Sequence, residues 1–159
     1  MKTILQYCTN LPLQAFEAGE VLLEEGGSTH QIFILKEGAI EVYRGDEIIA
    51  IIGEPGSVFG EMSVLLNCPH TANVRTAASS SLYRVDGALE FLHDNPDILL
   101  PITRLLASRL RNSTTYLLDI KKQFKDQSDH FSMVDAVLES LSHEQDAVFT
   151  PDEELPPDP

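Results

Sequence analysis

Eight of the nine glycines lie before residue 61, and that asymmetry divides the chain into two kinds of structure. Gly19, Gly26, Gly27, Gly38, Gly45, Gly53 and Gly56 punctuate short β-rich runs. The runs are Val21-Leu22-Leu23, Gln31 to Lys36, Ala39 to Arg44 and Glu47 to Ile52. Glycine supplies the positive φ that tight turns need, and Arg44-Gly45-Asp46 between two such runs reads as a hairpin turn. Turns recurring every ~8–12 residues predict an antiparallel roll or barrel from Leu13 to Val85, rather than βαβ units.

After Val85 the period lengthens. Asp86 is placed to N-cap a short helix through Leu92, with Glu90 near the capping-box position. Pro96 fits the first turn of a longer helix. There Leu99, Ile102, Leu105, Leu106, Leu110, Leu117, Ile120 and Phe124 recur at helical spacing. Its apolar half, beyond what the roll covers, predicts a homodimer formed through this helix. Ser132 to Leu141 reads as a short amphipathic helix, with Ser132 and Asp135 at N-cap and N3 spacing. Residues 150–159 hold four prolines and read as disordered or extended. The expected organisation is one domain over residues 1–125 and an acidic tail over residues 126–159.

Charge narrows the partners. The net charge is −14, of which −10 falls on residues 126–159, where there is no Lys or Arg. That disfavours nucleic acid and anionic membrane as partners, both of which need clustered cations. It also disfavours a DNA-binding module after the long helix. No run approaches the ~20 apolar residues of a membrane span, and the first residues do not read as a signal peptide, so a cytoplasmic address is expected. Cys8 and Cys68 are expected to be free thiols. His30, His70, His93, His130 and His143 are scattered, without the clustering a metal site needs. No nucleophile stands beside a base, so neither metal nor enzymatic activity is expected.

Phe59 to Val74, F-G-E-M-S-V-L-L-N-C-P-H-T-A-N-V, is where binding chemistry concentrates. A glycine opening one helical turn presents backbone N–H groups, which suit a phosphate. A carboxylate beside it accepts hydrogen bonds only, which suits sugar hydroxyls. Together with the glycine-turned strands before it and Asn95-Pro96-Asp97-Ile98-Leu99 after it, this stretch resembles the cyclic nucleotide-binding domain. That is the effector module of the catabolite activator protein, of cyclic-nucleotide-dependent kinases and of gated channels. The resemblance covers about Leu13 to Thr115. It implies an antiparallel β-roll of double-stranded jelly-roll type, mainly β with α, carrying a short cassette helix and a long C-terminal helix.

The resemblance also implies a ligand, cAMP or cGMP, and a set of site residues. Phe59, Gly60, Glu61, Met62 and Ser63 fall on the cassette. Gly60 and the amides after it would meet the cyclic phosphate, and Glu61 the ribose 2′-hydroxyl. Met62, Val64 and Leu65 would anchor the cassette helix on the roll. Pro69, His70, Thr71 and Ala72 fall on the returning segment, with Thr71 and the Ala72 amide facing the phosphate. Ser113 and Thr114 fall where the family places hydroxyls against the purine.

His70 stands where the family has an arginine paired with the phosphate. Losing a charged hydrogen bond costs about 1.5–3 kcal/mol, which corresponds to binding weaker by about 10- to 150-fold. A phosphate beside His70 would raise its pKa, so binding is expected to tighten below about pH 6.5. Two functions follow. One is a cyclic-nucleotide sensor acting in trans on a partner protein. The other is a degenerate domain that binds no nucleotide and serves as a protein-interaction or dimerisation module.

Overall fold

The computed structural model describes residues 3–123 and 132–143. The described residues fall into two compact units, dividing between Ile102 and Thr103. The first opens with a 3₁₀ turn, Ile4–Tyr7, followed by β1 (Leu13–Phe16), β2 (Val21–Leu23), β3 (Ile32–Glu37), β4 (Ile40–Arg44), β5 (Glu47–Ile52) and β6 (Val58–Phe59). Next come α1 (Glu61–Leu66), β7 (Asn73–Thr76), β8 (Ser80–Val85) and α2 (Ala88–Asp94). A 3₁₀ turn, Pro96–Ile98, leads into α3 (Leu99–Gln123), and the second unit also contains α4 (Ser132–His143).

The eight strands form two four-stranded antiparallel sheets, ordered β1-β8-β3-β6 and β2-β7-β4-β5. This is the expected roll. Side chains alternate between faces along a strand, and Leu23, Phe33, Leu35, Ile40, Phe59, Val74 and Leu82 meet in one core. Phe16 and Phe33 add an edge-to-face contact at 6.2 Å, within the range such ring pairs favour. Gly38 shows why a turn glycine cannot be replaced. A Cβ there, at φ +111, would lie 2.2 Å from Ser80 Oγ.

The four named strand runs match β2 to β5 within a residue or so at each end. The strand expected after Pro69 is β7. β1, β6 and β8 lie within the Leu13–Val85 stretch but outside the four named runs, and β6, with two residues, is too short to show a period. The long helix begins and runs as expected, and α4 extends two residues beyond the expected Leu141. The expected end of the long helix at Phe124 and the Pro-rich end of the chain lie outside the described residues.

One cap is corrected. Asp86 does not cap α2. Gly87, at φ +61, occupies that position without a side-chain cap. The Asp86 carboxylate instead accepts from Gln31 Nε2 at 2.6 Å and from Arg84 at 2.9 Å. A cation two residues earlier, at the end of β8, and an amide from the residue before β3 outcompete the helix N–H groups for it.

In the second unit, Lys121 pairs with Asp135, joining α3 to α4. Thr114 and Thr115 donate their hydroxyls back to Leu110 O and Arg111 O, each at 2.9 Å. Leu110, Tyr116 and Leu118 on α3 are exposed.

Candidate functional site

The cassette begins at Phe59, which is buried and pairs with Phe33 across β6 and β3. Gly60 follows at φ +87, in the left-handed region. A Cβ there would lie 2.6 Å from Gln31 O and 3.0 Å from Leu23 Cδ1. Glycine is therefore required by packing as well as by conformation. Six residues of α1 follow, of which Glu61, Ser63 and Val64 are buried.

Met62 and Leu65, expected to anchor α1, face outward at 46 % and 42 % exposure. Helical spacing explains the correction. In so short a helix, Glu61 and Val64 share the inner face, three residues apart, and Met62 and Leu65 share the outer one. Val64 anchors as expected, beside a buried carboxylate and hydroxyl rather than beside two further apolar side chains.

His70 is the centre of the arrangement, at 5 % exposure. Its backbone is held on both sides by the loop after β2. Gly26 N donates to His70 O at 2.8 Å, and His70 N donates to Gly27 O at 2.8 Å. Both ring nitrogens are engaged by hydroxyls. Ser63 Oγ lies 2.9 Å from Nδ1, and Thr29 Oγ1 lies 2.9 Å from Nε2. Thr29 N also points at Nε2, at 3.4 Å.

These contacts assign the proton. A backbone N–H only donates, so the Thr29 N–H favours the tautomer in which Nε2 accepts. The proton then sits on Nδ1 and is donated to Ser63, whose own hydroxyl donates onward to Gly60 O at 2.9 Å. His70 is thus neutral, and the protein's own groups satisfy it. Burial, and secondarily the charge of nearby His30, hold its pKa below the ordinary 6.5. His30 itself adopts φ +54, a left-handed conformation uncommon outside glycine. The pH at which His70 charges therefore moves below the 6.5 expected from the sequence, unless a phosphate offsets that shift.

Thr71 and Pro69 are exposed, and Ala72 is half-buried. The carbonyl of Thr71 accepts from Arg44 Nε at 2.9 Å. The structure thus brings Gly60, Ser63 and His70 into one hydrogen-bonded chain, with Glu61 next to Gly60 in sequence and Thr71 next to His70. Ser113, exposed, and Thr114, back-bonded to its own helix, belong to the second unit.

Sequence reasoning missed Thr29, Glu25 and Arg44. Nothing local marks Thr29 as a histidine partner. Arg44 does carry a signal, since alternation in β4 puts it on the same face as Ile40 and Val42. Among the described residues, no group of three or more His, Cys, Asp or Glu side chains could hold a metal ion.

A two-sheet roll followed by a glycine-opened short helix and a returning strand is the architecture that the comparisons identify. The sequence pattern of the cyclic nucleotide-binding domain matches residues 13–90, and that region of the chain belongs to the family. The chain is 31 % identical over 139 residues to the potassium channel KOR1 of Oryza sativa subsp. japonica, an alignment covering 85 % of this chain and 16 % of the channel. It is 30 % identical over 71 residues to human cGMP-dependent protein kinase 2, covering 45 % of this chain and 9 % of the kinase. It therefore spans only a small part of the length of these relatives.

Among solved structures, one from work on a cyclic-GMP-dependent signalling pathway regulating bacterial phytopathogenesis superposes with a TM-score of 0.57 at 25 % identity. That match covers 68 % of this chain and 91 % of the other. The catabolite activator protein of Thermus thermophilus superposes with a TM-score of 0.60 at 22 % identity, covering 75 % of this chain and 57 % of the activator. The latter likeness is one of fold.

Proposed function

We propose that this chain is a cytoplasmic cyclic-nucleotide sensor that binds cAMP or cGMP and passes the signal in trans to a partner protein. The observation that supports this reading is the backbone at the start of α1. Gly60 holds the left-handed conformation directly before α1, with Glu61 buried in the first helical turn. A glycine there lets a phosphate approach the main chain, and an ionised carboxylate accepts from sugar hydroxyls. Homodimer formation through α3 belongs to the same proposal. It is supported by the exposed Leu110, Tyr116 and Leu118.

One observation favours a second reading, in which the domain binds no nucleotide and acts through protein contacts. His70 offers no permanent charge, and Ser63 and Thr29 occupy both of its nitrogens. Titration calorimetry of the full chain with cAMP and with cGMP decides between them. Saturable heat with either nucleotide supports the sensor. Its absence in both the wild type and His70→Arg supports the interaction module. Co-purification with and without residues 126–159 tests the tail as the element that recruits the partner.

A further inference from the structure

If position 70 supplies no cation, the phosphate's counter-charge must come from elsewhere in the roll or be lacking. The first unit contains three arginines, and two are engaged away from the cassette. Arg75 pairs with Glu41, its guanidinium 4.5 Å from the centre of the Tyr43 ring. Arg84 pairs with Asp86 at 2.9 Å. Arg44 is different, because its Nε donates to the carbonyl of Thr71, one residue from His70.

Strand alternation fixes the side of the sheet. Ile40 is buried and Val42 packs against the core, whereas Glu41 and Tyr43 hold Arg75 on the opposite face. Arg44 therefore continues the side of β4 that carries Ile40 and Val42, at the exposed end of the strand where β7 is entered. Its Nε also lies 3.2 Å from Glu25 Oε1. Glu25 is fixed in turn, its backbone N donating to Asn73 Oδ1 at 2.9 Å. The Arg44–Glu25 pair thus bridges the ends of β4 and β2 across the segment that carries Thr71 and Ala72.

We propose that Arg44 is the phosphate-binding cation of this site, and that Glu25 competes with the ligand for it. The proposal rests on the nucleotide-binding reading. Two features suit the role. The hydrogen bond of Arg44 uses Nε, so among the described residues its terminal amino groups remain for an anion, and a guanidinium binds phosphate as a fork. The pair is also solvent-accessible, with side-chain exposures of 59 % for Arg44 and 38 % for Glu25. Exposed pairs are weak, so replacing the Glu25 carboxylate by a phosphate costs little.

The test is titration calorimetry of the full chain with cAMP and cGMP, comparing wild type, Arg44→Gln, Glu25→Gln, His70→Arg and Arg44→Gln/His70→Arg. Arg44→Gln is expected to weaken binding by about tenfold or more. Glu25→Gln is expected to tighten it by up to about fivefold. The double variant should recover affinity, which also shows that Arg44→Gln leaves the roll folded. If wild type and Arg44→Gln bind equally, Arg44 is not the phosphate cation and the sensor reading stands. If His70→Arg binds while wild type does not, Arg44 again fails as the cation. If no variant binds either nucleotide, the sensor reading itself falls, and this assignment with it.

Discussion

His70 and Arg44 flank the same residue, Thr71, and have opposite environments. His70 is buried and neutral, and the chain's own groups engage both its nitrogens. Arg44 is exposed and permanently charged, and its hydrogen bond uses one nitrogen of the guanidinium. A histidine inside the roll is stabilised by satisfying every polar atom, because an unpaired buried donor or acceptor costs about 1–3 kcal/mol. A guanidinium at the rim keeps its hydration and can exchange partners. At position 70, where the resemblance implies a cation, the side chain is held by the fold's own hydroxyls, and the arginine that reaches Thr71 comes from the neighbouring strand β4.

The sharpest way to break this contrast is His70→Arg. Restoring a charge at position 70 is expected to tighten nucleotide binding by about 10- to 150-fold, read by calorimetry. Melting temperature should fall at the same time, because Arg has no acceptor for Thr29 N–H. Unchanged affinity would mean that charge at this position is not what binding lacks.

Next in size is Gly60→Ala. A left-handed non-glycine residue costs about 1–2 kcal/mol, and the overlap with Gln31 O adds to it. A fall in melting temperature of at least about 5 °C is expected, with or without nucleotide. A variant as stable as wild type would make Gly60 a ligand-only requirement.

Thr29→Val and Arg44→Gln then compare the two environments directly. Thr29→Val leaves Nε2 with only the longer backbone contact and is expected to cost about 1–2 kcal/mol in denaturant unfolding. Arg44→Gln, at an exposed pair, should stay within about 0.5 kcal/mol. Equal costs would erase the distinction between a structural and an exchangeable group.

The smallest effect is on pH. Folding lowers the pKa of His70, so the unfolded chain takes up that proton first as pH falls. The contribution is fully present above the ordinary value of 6.5 and is lost as pH drops through 6.5 towards the folded value. Melting temperature is expected to decline between pH 7.5 and 5.5 more steeply for wild type than for His70→Gln. Parallel slopes would show that His70 is not held neutral by the fold.

The sequence determined the roll, the cassette and the long helix. Glycine turns between β-branched runs, and leucines at helical spacing, are local signals that survive without knowledge of tertiary contacts. By motif it offered Gly60, Glu61 and Thr71 as site candidates, and it marked position 70 as departing from the resemblance. It did not determine the state of His70, which depends on Thr29 from 41 residues away and on the burial that lowers its pKa. It also misjudged Met62, Leu65 and Asp86, because which face of a short helix is buried follows from what packs against it, and Gln31, 55 residues away, joins Arg84 in taking the Asp86 carboxylate. Arg44 was visible only as the last residue of a strand. That it meets Glu25 and Thr71 was decided by strand order, since β7 lies between β2 and β4 and brings three distant segments to one edge of the site.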